Sequence, residues 1–220
     1  MKNFIFNMPT HVMFGAGQLA HLHEQKLPGK KALIITSNGQ SAKKYGYLAR
    51  TEKELELASV EHTLFDEIRP NPTRENVMDG ARAVKENACD FVVALGGGSV
   101  MDCAKCIALM AVNAGDIWDY SLSSQGGKKT PEFDAIPIVA ITTSAGTGSE
   151  VDIAAVISND ATKEKTGIFF PSMFPTISVV DPDLMMSVPP KFTAYQGMDC
   201  LLYTSPSPRD RSVSCMPSSA

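Results

Sequence analysis

The sequence has no stretch of the roughly 20 uninterrupted apolar residues that a membrane span needs. Its longest apolar segment, around Ile107 to Val112, reads as a buried helix. The opening Met1-Lys2-Asn3-Phe4-Ile5-Phe6 has no apolar run of the length a secretory signal requires. A basic excess is also missing: 20 Lys and Arg stand against 24 Asp and Glu, a net charge of −4. That argues against a nucleic-acid partner, because no surplus of cations exists to neutralise phosphates. The five cysteines are an odd set without framework spacing, which excludes a disulfide scaffold and fits a reducing cytoplasm. No internal repeat is visible.

What is present suffices for a folded core. At 220 residues, 44% hydrophobic and 20% charged, the chain can form one sizeable domain and the start of a second. A chain of this size buries roughly 70% of its unfolded surface without staples.

Apolar runs and helical periodicity alternate along the chain. Ala32 to Thr36 and Phe91 to Leu95 are short and continuously apolar, as expected of parallel strands covered on both faces. Thr63 to Asp66 and Ile136 to Ile141 add two more strands. Helices are expected over Ser41 to Arg50, over Arg74 to Glu86 with Thr73 as N-cap, and over Met101 to Asn113. The later runs Ile153 to Ser158, Ile168 to Phe170 and Thr176 to Val180 read as strands of a more β-rich part. The fold class is α/β, a doubly wound, Rossmann-like parallel sheet. Ligands of such sheets bind beyond the strands' carboxyl ends.

Two loops fall there. Gly96-Gly97-Gly98-Ser99 follows a buried strand and opens a helix. Glycines let the backbone take left-handed angles and leave no Cβ in the way of a phosphate, and the helix aims its free N–H groups at the same spot. By itself the turn is equally a plain strand-to-helix connection. Its spacing is not that of the G-x-G-x-x-G fingerprint. The second loop, Thr142 to Glu150, offers the hydroxyls of Thr142, Thr143 and Thr147, suited to phosphate and ribose oxygens or to capping the next element. Asp102 either favours the helix dipole or bonds a ligand or the other loop. Lys105 is either a solvated charge or a functional one.

Four segments taken together are specific: Phe14-Gly15-Ala16-Gly17, GGGSVMDCAK over 96–105, TTSAGTGSE over 142–150, and VPPKFTAYQGMD over 188–199. In order and spacing they resemble the iron-containing alcohol dehydrogenase family, over residues 1 to about 199. The resemblance implies a nucleotide-binding α/β domain over 1–185, and from 186 an all-helical domain holding iron, or zinc in some members. It places Gly97, Gly98 and Ser99 on a pyrophosphate, and Asn71, Asp102, Thr142, Thr143 and Thr147 around the cofactor. It sets Lys165 on a ribose and makes Asp199 the first metal ligand. The substrate it implies is a small alcohol or aldehyde, with the metal as Lewis acid and no protein residue as general acid or base. The intact protein is expected to be a homo-oligomer.

The family's second metal ligand is a histidine four residues after the aspartate. Here that position is Tyr203, and all four histidines (His11, His21, His23, His62) precede the glycine loop. A phenol without downstream imidazoles does not make such a site. Composition also changes here: 200–220 is rich in serine and proline, resembles vector read-through, and is expected to be disordered. The native gene is expected to continue differently, and the chain as given to be an inactive fragment.

Cofactor choice turns on the end of the first strand of the nucleotide-binding unit. NAD-preferring members often carry an aspartate where this chain has Ser37, so with Ser37, Asn38 and Gly39 uncharged, NADP is permitted beside NAD and slightly favoured. The related dehydroquinate-synthase-like lyases and polyol-phosphate dehydrogenases share a glycine loop, and a non-catalytic nucleotide-binding module is a further reading. TTSAGTGSE and the PPK…GMD stretch favour the alcohol dehydrogenases. Cys103 and Cys106 have C-x-x-C spacing but read as buried small hydrophobes. His21 and His23 read as surface residues, and Trp118 as a packing anchor.

Overall fold

A computed structural model describes residues 7–123 and 125–204. Within them the strands are β1 (His11–Phe14), β2 (Lys31–Ser37), β3 (Glu61–Ile68), β4 (Phe91–Gly96), β5 (Ile138–Thr142), β6 (Ala154–Asn159), β7 (Glu164–Phe169) and β8 (Ile177–Val180). Six of them form one sheet in the order β1-β8-β5-β4-β2-β3, parallel at every pairing. β6 and β7 make a separate antiparallel hairpin. The helices are α1 (Ser41–Lys44), α2 (Tyr47–Leu57), α3 (Arg74–Glu86), α4 (Gly98–Met110) and α5 (Pro190–Thr204).

Strand side chains alternate between faces, so the continuous apolar runs supply two cores. Leu33, Ile35, Val92, Ala94 and Ala140 face α3, α4 and the β6–β7 hairpin. Ile34, Val93, Leu95, Ile141 and Val179 face α2 and the 3-10 turn Gln18–Glu24, through Leu48, Leu55, Leu19 and Leu22. The sheet is therefore doubly wound. No described helix is long and apolar enough to cross a membrane.

α3 begins and ends where expected. Thr73 Oγ1 accepts from Asn76 N, and Asn76 Oδ1 accepts from Thr73 N, so both leading amides are capped reciprocally. The helix expected over Ser41 to Arg50 is instead split at Tyr45-Gly46, because Gly46 takes φ 72° and starts a second helix. α4 starts at Gly98 rather than Met101, with Gly97 as its extended N-cap and Gly96 as the last residue of β4. Of the late strands, β8 joins the main sheet while β6 and β7 stand apart. The helix begun at Pro190 runs to Thr204, so residues 201–204 are helical and not structureless as their composition suggested. The remainder of the expected disordered tail lies outside the described residues.

The N-terminal segment is tied down by one carboxylate. Asp181, wholly buried after β8, accepts from Gly17 N (3.0 Å), Leu19 N (3.1 Å) and Asp183 N (3.0 Å). This pins the Phe14–Gly17 turn against the end of the neighbouring strand. Asp181→Ala leaves those amides unsatisfied, and thermal or urea unfolding is expected to show a loss of about 3 kcal/mol, at 1–3 per buried unpaired group. An unchanged midpoint would refute the tie.

Candidate functional site

The sheet reverses its direction of winding at β2: β3 lies on one side, β4 and β5 on the other. Helices then diverge from the carboxyl ends of β2 and β4 and leave a crevice there. It is a cavity of about 230 Å³ lined by Thr36, Ser37, Ser41, Arg69, Gly96, Gly97, Gly98, Ser99 and Thr143. Thr36 Oγ1 donates to the Leu95 carbonyl at 2.8 Å, joining the two strand ends.

None of Gly96, Gly97 and Gly98 has a positive φ; Gly97 is extended at −90°. The expectation of left-handed angles is thus corrected: room is what these glycines supply. A Cβ on Gly97 would stand 2.6 Å from Ser144 Oγ, and one on Gly98 3.0 Å from Thr147 Cγ2. The two loops are in contact, and Thr143 N donates to the Gly96 carbonyl at 3.0 Å. The left-handed residues lie in the second loop, Gly146 at φ 104° and Gly148 at φ 68°. A Cβ on Gly146 would meet the Gln196 carbonyl at 2.7 Å, so α5 closes over this loop. Gln196 Oε1 also accepts from Ala145 N at 3.3 Å.

α4 has no side-chain cap, and the leading N–H groups of a helix have no partner within it. Those of Gly98 and Ser99 therefore lie at the cavity wall as donors for an anion, with the positive end of the helix dipole behind them.

A second cavity, of about 410 Å³, shares Gly98 and Ser99 and adds Asp102, Thr147, Lys165 and Asp199. Lys165 Nζ donates to Asn71 Oδ1 at 2.8 Å, and Asn71 holds φ 55° at the Pro70–Pro72 corner. Two candidates line neither cavity. Asn71 reaches the site through Lys165, and Thr142 is buried with its hydroxyl donated to the Ser144 carbonyl at 2.7 Å. A third cavity, of about 210 Å³, continues past Thr143 to Ser41, Tyr47, Pro189 and Gln196. Of its lining, Thr143 is a candidate from the sequence, whereas Ser41, Tyr47 and Gln196 are not, because only the fold brings their distant segments together.

Beneath both loops lies a polar network. Lys105 is completely buried, and its Nζ donates to Asp152 Oδ1 (2.6 Å), Ala154 O (2.9 Å) and Ser149 Oγ (3.0 Å). Ser149 Oγ donates to Asp102 Oδ1 (2.8 Å), and Val156 N to Asp102 Oδ2 (3.0 Å). Burial pushes the Asp102 carboxyl up, against the opposing pull of those two donors and of Lys105. Of the roles open to Lys105, a solvated charge is excluded, and Asp102 bonds the second loop itself, at Ser149, as well as β6 at Val156. Ser149 and Asp152 were missed as anchors because nothing local in the sequence points to their partner.

Among the described residues no group of three or more His, Cys, Asp or Glu can hold a metal. Asp199 stands half-buried on α5. His11 and His62 lie at the amino ends of β1 and β3, at the opposite end of the parallel sheet from the carboxyl ends of β2, β4 and β5 that line the cavities. His21 pairs with Glu24 at 3.1 Å and His23 with Glu54 at 2.6 Å. Cys103 and Cys106 are buried, and loss of solvent pushes both thiols up, as befits packing residues rather than nucleophiles. Trp118 is likewise packed in the core.

Residues 9–182 match the family model for iron-containing alcohol dehydrogenase. The chain is 38% identical over 204 residues to 1,3-propanediol dehydrogenase of Klebsiella pneumoniae, covering 92% of this chain and 51% of that protein. It is 40% identical over 200 residues to alcohol dehydrogenase 4 of Schizosaccharomyces pombe, covering 90% and 46%. The crystal structure of NADH-dependent butanol dehydrogenase A from Thermotoga maritima superposes with a TM-score of 0.84 at 33% identity, over 90% of this chain and 49% of that one. The chain spans about half the length of the relatives it matches.

Lys105→Met leaves Asp152 and the buried end of Asp102 without their cation. Removing one member of a buried ion pair costs about 3–5 kcal/mol; because Asp152 is partly exposed, a loss near the lower end is expected in urea unfolding. Amide exchange should accelerate over residues 149–156. Wild-type exchange in that segment would contradict the anchoring role.

Proposed function

This chain belongs to the iron-containing alcohol dehydrogenase family, and from that premise we propose that it forms the nucleotide-binding part of an enzyme passing hydride between a small alcohol and a nicotinamide dinucleotide. The observation that supports this reading best is the contact between the two strand-end loops beside an uncapped helix start. The amides of Gly98 and Ser99 hold the pyrophosphate. Lys165 and Asn71 hold a ribose in the second cavity, Thr147 and Asp102 line the same chamber, and Thr143 borders the cleft toward the other end of the dinucleotide. Thr142 acts indirectly, by fixing the turn at Ser144. Ser37, Asn38 and Gly39 carry no charge that would repel a 2′-phosphate, which supports NADP as well as NAD.

The protein's part in hydride transfer is to fix the nicotinamide and exclude water around it. Relatives are named for propanediol and butanol, and a short-chain alcohol or aldehyde is the substrate class we assign. The residues present do not fit the family's metal. One half-buried carboxylate at Asp199 has no imidazole or second carboxylate grouped with it as a ligand set among the described residues, whereas a four-coordinate site takes three or four protein ligands. No step is therefore assigned to a metal in this chain.

Two measurements check this reading. Calorimetric titration of the 220-residue chain with NADH and NADPH should show binding, and Gly98→Val, which puts a branched side chain between both cavities, should weaken it at least tenfold. Undiminished binding by that variant would place the nucleotide elsewhere. Alcohol oxidation assayed with iron or zinc added to the 220-residue chain is expected to give no turnover; metal-dependent turnover would overturn the proposed deficiency at Asp199.

A further inference from the structure

The β2–β4 cleft contains a cation that pyrophosphate binding does not use. Arg69 directly follows β3, and the Ile68 carbonyl accepts from Asn38 N at 2.9 Å, which sets Arg69 beside the Ser37–Gly39 turn. Arg69 lines the cleft together with Ser37 and Ser41. Its own bonds are long: Nη2 donates to Thr73 Oγ1 and to Asp160 Oδ2, each at 3.4 Å, and about half of the side chain is exposed. The nearby Lys43 is, in contrast, closely paired with Asp66. Arg69 is thus a loosely engaged guanidinium in a cleft that also carries two serine hydroxyls, beside a Ser37–Gly39 turn that has no carboxylate of its own.

Resting on the reading that this cleft takes a nicotinamide dinucleotide, we propose that Arg69, Ser37 and Ser41 form a site for the 2′-phosphate of NADP and that Arg69 sets the preference for NADP over NAD. A phosphomonoester carries close to two negative charges and three acceptor oxygens. A guanidinium presents a planar fork of N–H donors that matches such a group, and the serine hydroxyls can donate to the oxygens that remain. The pyrophosphate has its own donors at the start of α4, so Arg69 is left for the phosphate that distinguishes the two cofactors. Asp160, bonded to Arg69 and largely exposed, tempers the site by competing for the same guanidinium.

Calorimetric titrations of the 220-residue chain with NADPH and with NADH test the assignment. The wild-type chain should bind NADPH more tightly. Arg69→Ala should cost NADPH about tenfold more affinity than it costs NADH, the scale of one charge-assisted hydrogen bond. Asp160→Asn should change the ratio in the opposite direction, by a few-fold in favour of NADPH. Equal losses of both cofactors from Arg69→Ala would assign Arg69 to the pyrophosphate and overturn the proposal, as would a wild-type preference for NADH. Failure of the wild-type chain to bind either dinucleotide is a different result, since it removes the nucleotide reading itself.

Discussion

A single ammonium group holds the site together from below. Lys105 Nζ lies where α4, the Ser149–Val151 turn and the start of β6 converge, and it donates to one acceptor on each of three residues there. A lysine with no exposed surface is tolerable only when every donor is matched, so the network fixes how the second loop returns from the sheet. That return path brings Ser144 and Thr147 within touching distance of Gly97 and Gly98. The contact between the loops, and the floor of the second cavity, follow from it.

Sequence and structure agree best where a local rule applies. The runs at 32–36 and 91–95 read as buried parallel strands because both faces of each are covered, and α3 was legible to the residue because its Thr73–Asn76 cap is local. Agreement is poorer where tertiary contacts decide. Split α1 and α2 depend on one glycine's backbone conformation. β1 has only four residues and gains its place from pairing with β8. The glycine turn stands out in the sequence, but for a different reason: Gly97 and Gly98 admit the neighbouring loop and Gly96 makes room for Val100 of α4, and the first of these no inspection of residues 96–99 alone discloses. Lys105 likewise has an ambiguous environment in one dimension, since its partners lie more than forty positions away.

The two halves of the candidate site differ in how complete they are. Its nucleotide side draws on the carboxyl ends of β2, β4 and β5 and on a helix whose leading amides are uncommitted. Its other side reaches Asp199 on α5, a helix that rests on the second loop through Gln196 but leaves Phe192, Tyr195 and Met198 half exposed to solvent. Charge and shape are thus organised around the start of α4. At the carboxylate end one donor stands without a coordinating set among the described residues.

The sheet order has a consequence for biosynthesis. β1, near the start of the chain, pairs His11 with Ile177 and Phe14 with Val180 in the last strand of the sheet, and the turn after it waits for the carboxylate of Asp181. A nascent chain emerging from the ribosome can assemble β2 to β5 well before β1 has any neighbour. Until β8 has emerged, β1 must stay without its sheet partner, and sheet completion is a late event with a large loop-closure entropy. The exposed hydrophobic Phe14 then belongs to the strand most available to chaperones, or to wrong partners, during synthesis.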